Sequence, residues 1–453
     1  MRFPIFARIA VISAIVLALL IPLALIKGKV VERQERAVGV QQGFAQETAG
    51  PQVVAGPFLA LTCEETYVEE RVVHRDNGRP LTVREKKQRP CATALIPPRS
   101  LNVRGTLPVE QRYRGIYPIR LYRADMTLSG DFDWPAPPAP SGDEVRGWKD
   151  AYLVLAISDV RGIRNIPVAT TGTQQREFAP GPFHPAVRSG LHASLGDYSS
   201  FPDAASLPFR LSLELIGTTK LDIAPVGAVN TIRLASEWPH PSFAGAFLPD
   251  QREVSSAGFA ASWKVNHFAT GGNAFWSNLA AEGKLFSSPR LLGVALVEPV
   301  NAYSLAYRAT EYGFLFVLLT FSAFALLELI WGVALHPAQY LLVGLALAVF
   351  FLVLIALSEH IHFAWAYLAA SGACITLLTY YLRYPLASLA RTVLFAGLFT
   401  VLYGSLYVLL KSEDHALLLG SLLVFAALAA AMALTRKLDW AAVSKRLSPG
   451  TPA

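Results

Sequence analysis

Two kinds of hydrophobic pattern divide the chain. Residues 9–26 are uncharged and almost wholly apolar. As a helix rising about 1.5 Å per residue they cover roughly 27 Å, close to the hydrocarbon thickness of a bilayer. From residue 312 the chain is again apolar almost to its end, cut by short polar breaks into 312–335, 339–357, 361–381, 392–410 and 416–434. Each piece is near the roughly 20 residues a spanning helix needs, so the pattern predicts six transmembrane helices. Between Lys27 and Tyr307 the continuous apolar character gives way to period-two alternation, the mark of strands with one buried face. In FRLSLEL, Phe209, Leu211, Leu213 and Leu215 would face a core, while Arg210, Ser212 and Glu214 face water. TYVEERVVH and PLTVREKK flank RDNGR, which predicts a hairpin turning at Asn77 and Gly78. IRLYRADMTL, AYLVLAIS, NTIRLA, FAASWKV and LLGVALVEP read as further strands. The expected fold class is a membrane α-helical block joined to a large exported β-rich domain of antiparallel, sandwich-like sheets.

The expected organisation is a signal-anchor helix over 1–27, a periplasmic β-rich domain over 28–307, a five-helix membrane domain over 308–436 and a cytoplasmic tail over 437–453. A cleaved signal peptide is the competing reading of the first segment, but ALIKGK after Pro22 offers no small-x-small site. Residues 27–49 are polar with alternating charge and read as a helical or extended stalk. DWPAPPAPSGD reads as an extended loop inside the domain.

Composition agrees with a membrane class. Apolar residues make up 53% and charged residues 16%, with a mean hydropathy of +0.38, against a charged share of about 25% in soluble domains. The net charge of +7 would suggest nucleic acid if it were concentrated on the exported part. It is not, because residues 27–307 hold 30 Lys+Arg against 27 Asp+Glu. Arg2, Arg8, Arg383, Arg391, Arg436, Lys437, Lys445 and Arg446 instead flank apolar runs, where basic residues set membrane orientation. They fall on one side if both termini are cytoplasmic, leaving only Lys411 in the short outer turns. The partner this implies is the lipid bilayer, and nucleic-acid binding is excluded.

Candidate chemistry is sparse. HExxH, GxxxxGK[ST] and GxSxG are all absent. Glu328, in FALLELIWG of the second helix, is an intramembrane carboxylate, which marks an ion, proton or substrate path or else a polar fastening between helices. Glu359, His360 and His362 follow the third helix, and Glu413, Asp414 and His415 precede the sixth. These two turns share the outer side, so they could form one cluster. Imidazole and carboxylate together can bind zinc, whereas the plainer reading has them bond loop backbone and dock the exported domain. No metal or cofactor is expected. In SEWPHPSFAGAF, Trp238, His240 and Phe243 form either a rigid recognition loop or a buried corner between strands. Cys63 and Cys91 would be able to pair in an oxidising compartment, two free thiols being the alternative. Cys374 lies in an apolar run, and His74, His184, His192 and His267 are scattered without ligand spacing.

The segments RYRGIYPIRLYRA, AYLVLAISDVRGI, SEWPHPSFAGAFLPDQREVSSAGFAASW, LVEPVNAYSLAYRATEYGF, HPAQYLLVGLALAVFF and VLYGSLYVLLKSEDHALLLGS resemble the CreD family of inner-membrane proteins of Gram-negative bacteria. The resemblance covers almost the whole chain. It implies a multi-spanning inner-membrane protein tied to envelope integrity and stress responses, with an envelope protein or cell-wall component as partner. It transfers no catalytic residue, and since Cys63, Cys91 and the basic segment between them depart from the pattern it supplies no disulfide. Binding or bracing through the periplasmic domain is the expected function. A small transporter or flippase working through Glu328, or a membrane-embedded hydrolase, is the rival from another class.

Overall fold

Period-two alternation in the middle of the chain closes into two mixed sheets that share one apolar core. The computed structural model describes residues 5–74, 80–136, 145–181, 184, 187–201, 206–298, 302–331, 335–386, 388–412 and 415–436. It divides into a helical unit, Met1–Gly39 with Val300–Ala453, and a β-sheet unit, Val40–Pro299.

The first sheet has eight strands: β1 (Gln52–His74), β2 (Pro80–Ile96), β6 (Val145–Ile157), β9 (Ala179–Pro180), β10 (Gly190–Asp197), β12 (Lys220–Ala224), β14 (Pro241–Gly245) and β17 (Leu292–Leu296). Their order is β14-β17-β12-β1-β6-β10-β9, and β2 pairs with β1. The second has nine: β3 (Ser100–Thr106), β4 (Val109–Arg114), β5 (Tyr117–Asp133), β7 (Val168–Thr171), β8 (Gln174–Glu177), β11 (Ser206–Thr218), β13 (Val229–Ser236), β15 (Gln251–Ser255) and β16 (Gly258–Asn266). Its order is β15-β16-β13-β3-β5-β11-β7-β8, with β4 on β5. Two short helices, α2 (His267–Thr270) and α3 (Gly272–Ala281), follow β16.

Alternation predicts the buried face correctly. Phe209, Leu211, Leu213 and Leu215 of β11 are all buried, and both sheets feed one continuous cluster that includes Phe58, Phe132, Leu213 and Trp263. Most pairings are antiparallel, as expected, but β1 pairs with β12 and β3 with β13 in parallel. Alternation reports which side of a strand is buried and carries no information on the direction of its neighbour. The β1–β2 hairpin forms in a register running from Leu59↔Ile96 to His74↔Pro80. Its turn, with Asn77 and Gly78, lies outside the described residues, as do parts of the Pro-rich loop and the segment after Arg436.

In the helical unit, α1 (Ile5–Glu47) is one continuous 43-residue helix, so the polar stretch after Lys27 is helical, and its last turns belong to the β-sheet unit. The rest is α4 (Ala302–Glu311), α5 (Gly313–Trp331), α6 (Pro337–Ser358), α7 (Phe363–Leu386), α8 (Leu389–Lys411) and α9 (Ala416–Thr435). Among the described residues five helices are long and apolar enough to cross a membrane, and a sixth crossing arises if α4 and α5, bent by 46° at their break, are one span. Leu19, Phe316, Phe350, Phe351, Phe399 and Tyr403 lie within its core. None of α9 is buried, which suits a helix whose surroundings are lipid tails.

Phe132 is fully buried and packs on Phe209 with ring centroids 5.0 Å apart. Phe132→Ala should therefore cost the β-sheet unit about 3–5 kcal/mol. Replacing the half-exposed Val160 by Ala should stay within about 0.5 kcal/mol. Denaturant unfolding of the detergent-solubilised chain, followed by tryptophan fluorescence, checks the difference.

Candidate functional site

Polar groups in a spanning bundle gain most from partners within the protein, and in the helical unit several of the charged ones find them near helix ends. Glu328, one turn from the end of α5, accepts the Tyr340 hydroxyl of α6 at 2.8 Å and the Leu335 backbone N–H at 3.2 Å. The adjacent HPAQ segment starts α6 with a capping box: His336 Nδ1 accepts the Ala338 N–H at 3.2 Å, and Gln339 Oε1 accepts the His336 N–H at 2.8 Å. Glu328 thus joins the end of one helix to the beginning of the next.

A second group gathers around α1. Glu359, in the turn after α6, is nearly buried; its carboxylate lies 3.7 Å from Arg33 of α1 and 3.5 Å from the Tyr303 hydroxyl of α4. Lys27 donates to Glu311 at 2.8 Å and lies 4.8 Å from the Tyr307 ring centroid. Lys27 of α1 therefore meets two consecutive turns of α4, and Glu359 lies between Arg33 of α1 and Tyr303 of α4, an attachment invisible in the sequence because the partners are far apart along the chain. Deeper in, the Tyr403 hydroxyl donates to Cys374 Sγ at 3.0 Å, and the Tyr367 hydroxyl to the Tyr403 carbonyl at 2.6 Å.

Among the described residues, no hydrogen bond or ion pair joins His360, His362 or His415 to Glu359. His360 and His362 are exposed, and His362 Nδ1 accepts the Ala364 N–H at 3.3 Å at the start of α7. His415 is exposed ahead of α9, while Glu413 and Asp414 lie outside the described residues. Among the described residues no three His, Cys, Asp or Glu side chains form a group able to hold a metal ion.

In the β-sheet unit, WPHPSF is the corner at which the chain leaves β13 in one sheet for β14 in the other. Trp238 is half-buried; its Nε1–H lies 3.1 Å from the His240 carbonyl and 3.0 Å from the Val297 carbonyl. The Arg120 guanidinium lies 4.7 Å from the Trp238 ring centroid and pairs with Glu298. Phe243 packs edge-on against Phe259 and Trp263, and His240 is exposed.

Cys63 and Cys91 face each other in register and form a disulfide, Cα–Cα 4.9 Å. Beside it lies a residue the sequence reading passed over. Glu65 occupies one rung of three strands, with Arg89 of β2 on one side and Arg146 of β6 on the other. Each arginine Nε is 2.7 Å from a carboxylate oxygen. Hydrogen bonds from Arg146 and Arg89 hold the Glu65 carboxyl pKa down to about 2, against 4.5 ordinarily. The available signal was phase: Glu65 continues the inward series Leu61, Cys63, where a carboxylate requires a partner. Gln52 is likewise fully buried, its amide donating to the Asp159 and Ile216 carbonyls at 3.0 and 3.2 Å.

A family model described as Inner membrane protein CreD matches residues 4–441. The chain is 35% identical to Inner membrane protein CreD of Escherichia coli (strain K12), over 98% of this chain and 95% of that protein.

The depressed Glu65 pKa contributes stability that is complete above about pH 4.5 and is lost as pH falls towards 2. The unfolding midpoint of the β-sheet unit should drop in that window, and Glu65→Gln should shrink the drop while lowering the midpoint at neutral pH. Glu328→Ala should lower thermal stability in detergent by about 1–3 kcal/mol, leaving two donors unanswered, whereas Glu328→Gln, which keeps an acceptor oxygen, should cost less than about 1 kcal/mol.

Proposed function

Because the chain belongs to the CreD family of inner-membrane proteins, we propose that it is an envelope protein whose β-sheet unit stands on the periplasmic side and binds or braces a partner there, the helical unit serving as its anchor. That the chain is a multi-pass inner-membrane protein is the part established by kinship and by its apolar helices. The observation that carries the rest is the division of labour along the chain. A β-sheet unit, Val40–Pro299, is inserted whole between the first apolar helix and the others. Its charges are nearly balanced, and the chain's excess positive charge flanks the helices. Lys and Arg beside spanning helices stay on the cytoplasmic side, while long domains are translocated largely regardless of charge. This supports a periplasmic β-sheet unit and cytoplasmic termini.

A binding and bracing role fits the chemistry better than transport. A carboxylate on an ion path needs freedom to exchange its partner, whereas Glu328 bonds a backbone amide and a tyrosine at a helix junction. The partner class we assign is an envelope protein or cell-wall component.

Thiol labelling tests the topology. Cys374 is buried and Cys63 is joined to Cys91, so the native sulfurs stay silent. Ala257→Cys, in the exposed turn before β16, should react with a membrane-impermeant maleimide in intact spheroplasts. Tyr384→Cys, at the 94%-exposed position near the end of α7, should react only after lysis. The reverse pattern overturns the orientation.

A further inference from the structure

The solvent face of the nine-stranded sheet carries a rung of cations that holds no acid of its own. Parallel pairing of β3 and β13 sets Arg104 opposite Arg233, with Cα atoms roughly 5 Å apart. Both side chains are exposed. The rung continues through Ser262 of β16 and Thr127 of β5, and Lys264 stands one rung along, opposite Thr231. Among the described residues Arg104, Arg233 and Lys264 have no ion-pair partner. Asp125 and Glu253 line one end of the same cavity, one rung the other way, and Asp125 lies 3.9 Å from Arg123. The arginines line open cavities of about 550 and 220 Å³, the first floored by small side chains such as Ala235, Ala260 and Ser262.

Like charges directly opposite one another across strands are destabilising. At the base of the β1–β2 hairpin this protein places a carboxylate between two arginines in one rung, Arg89–Glu65–Arg146. The Arg104–Arg233 rung has the guanidiniums without the acid. A single carboxylate there would leave one net positive charge, as Glu65 does between Arg89 and Arg146. A phosphoryl group carries about −1.5 to −2 charge at pH 7 and three acceptor oxygens, and guanidinium forks match it in bidentate fashion. The larger cavity is within the roughly 300–1,000 Å³ range of small-molecule sites, and Thr106, Gln251 and Ser262 add polar groups to its walls.

We infer that this face binds a phosphoryl-bearing ligand whose oxygens bridge Arg104 and Arg233, with Lys264 as a third cation. A soluble phosphate ester and a phospholipid headgroup share this chemistry. The inference rests on reading the β-sheet unit as the binding part of the protein, and does not depend on the side of the membrane it occupies.

The full chain in phosphatidylcholine nanodiscs, titrated calorimetrically with glucose 6-phosphate, tests the soluble source. Flotation of those discs with phosphatidylcholine vesicles, with and without phosphatidic acid, tests the lipid source. Binding in either arm should be saturable, should weaken at least about tenfold in Arg104→Gln or Arg233→Gln, and should be unchanged in Arg123→Gln. Acetate should compete poorly. The double variant should melt at the same temperature as the parent or higher, because it removes a repulsion. Absence of binding in both arms by a chain with an unchanged melting profile overturns the site. Binding that survives the double variant, or a lowered melting temperature of that variant, overturns it as well. Reversed labelling at Ala257→Cys would overturn the topology alone and leave these binding results standing.

Discussion

A peptide group carried into hydrocarbon has to find its hydrogen-bond partner within the protein, and the plan of this chain follows from that requirement. Long apolar stretches satisfy it segment by segment as helices, so each crossing is settled locally. The stretch between the first and second apolar regions is too polar and too finely alternating for that solution. It pairs strand with strand around a core contributed by both sheets. Exposed edges are the weak point of such a unit. The edge strand β15 is exposed at every position and carries Gln251, Arg252 and Glu253, residues that discourage pairing with another chain.

Within the helical unit the same requirement explains where polar side chains sit. Glu328 meets Tyr340 and the Leu335 amide where α5 gives way to α6. Glu359 lies between Arg33 and Tyr303, and Glu311 bonds Lys27. The two tyrosines Tyr367 and Tyr403 pass their hydroxyl hydrogens to a carbonyl and a thiol inside the bundle. Each of these groups is occupied in fastening one helix to another, which fits an anchor better than a moving pathway.

The β-sheet unit shows two treatments of neighbouring arginines. Around Glu65 a buried carboxylate unites three strands beside the disulfide, so the base of the long hairpin is held by both covalent and ionic links. Around Arg104 and Arg233 the positive charges face a cavity instead. One arrangement is complete within the chain, and the other is the place where we infer that a ligand supplies the complement.

Apolar run length, strand alternation and the placement of basic residues are local properties, and the sequence alone determined the helical block, the β-rich middle, the buried phase of β11 and the membrane class. Kinship with CreD was legible for the same reason, in contiguous segments such as WPHPSF. Direction and register between distant strands are not local, so the parallel pairs β1–β12 and β3–β13 were decided only in the folded chain. The parallel β3–β13 pair brought the Arg104–Arg233 rung, while the Glu65 rung and the meeting of Arg33 with Glu359 were likewise decided by packing. Side-chain chemistry can be read one residue at a time, but a site is a distance between residues, and only tertiary packing sets that distance.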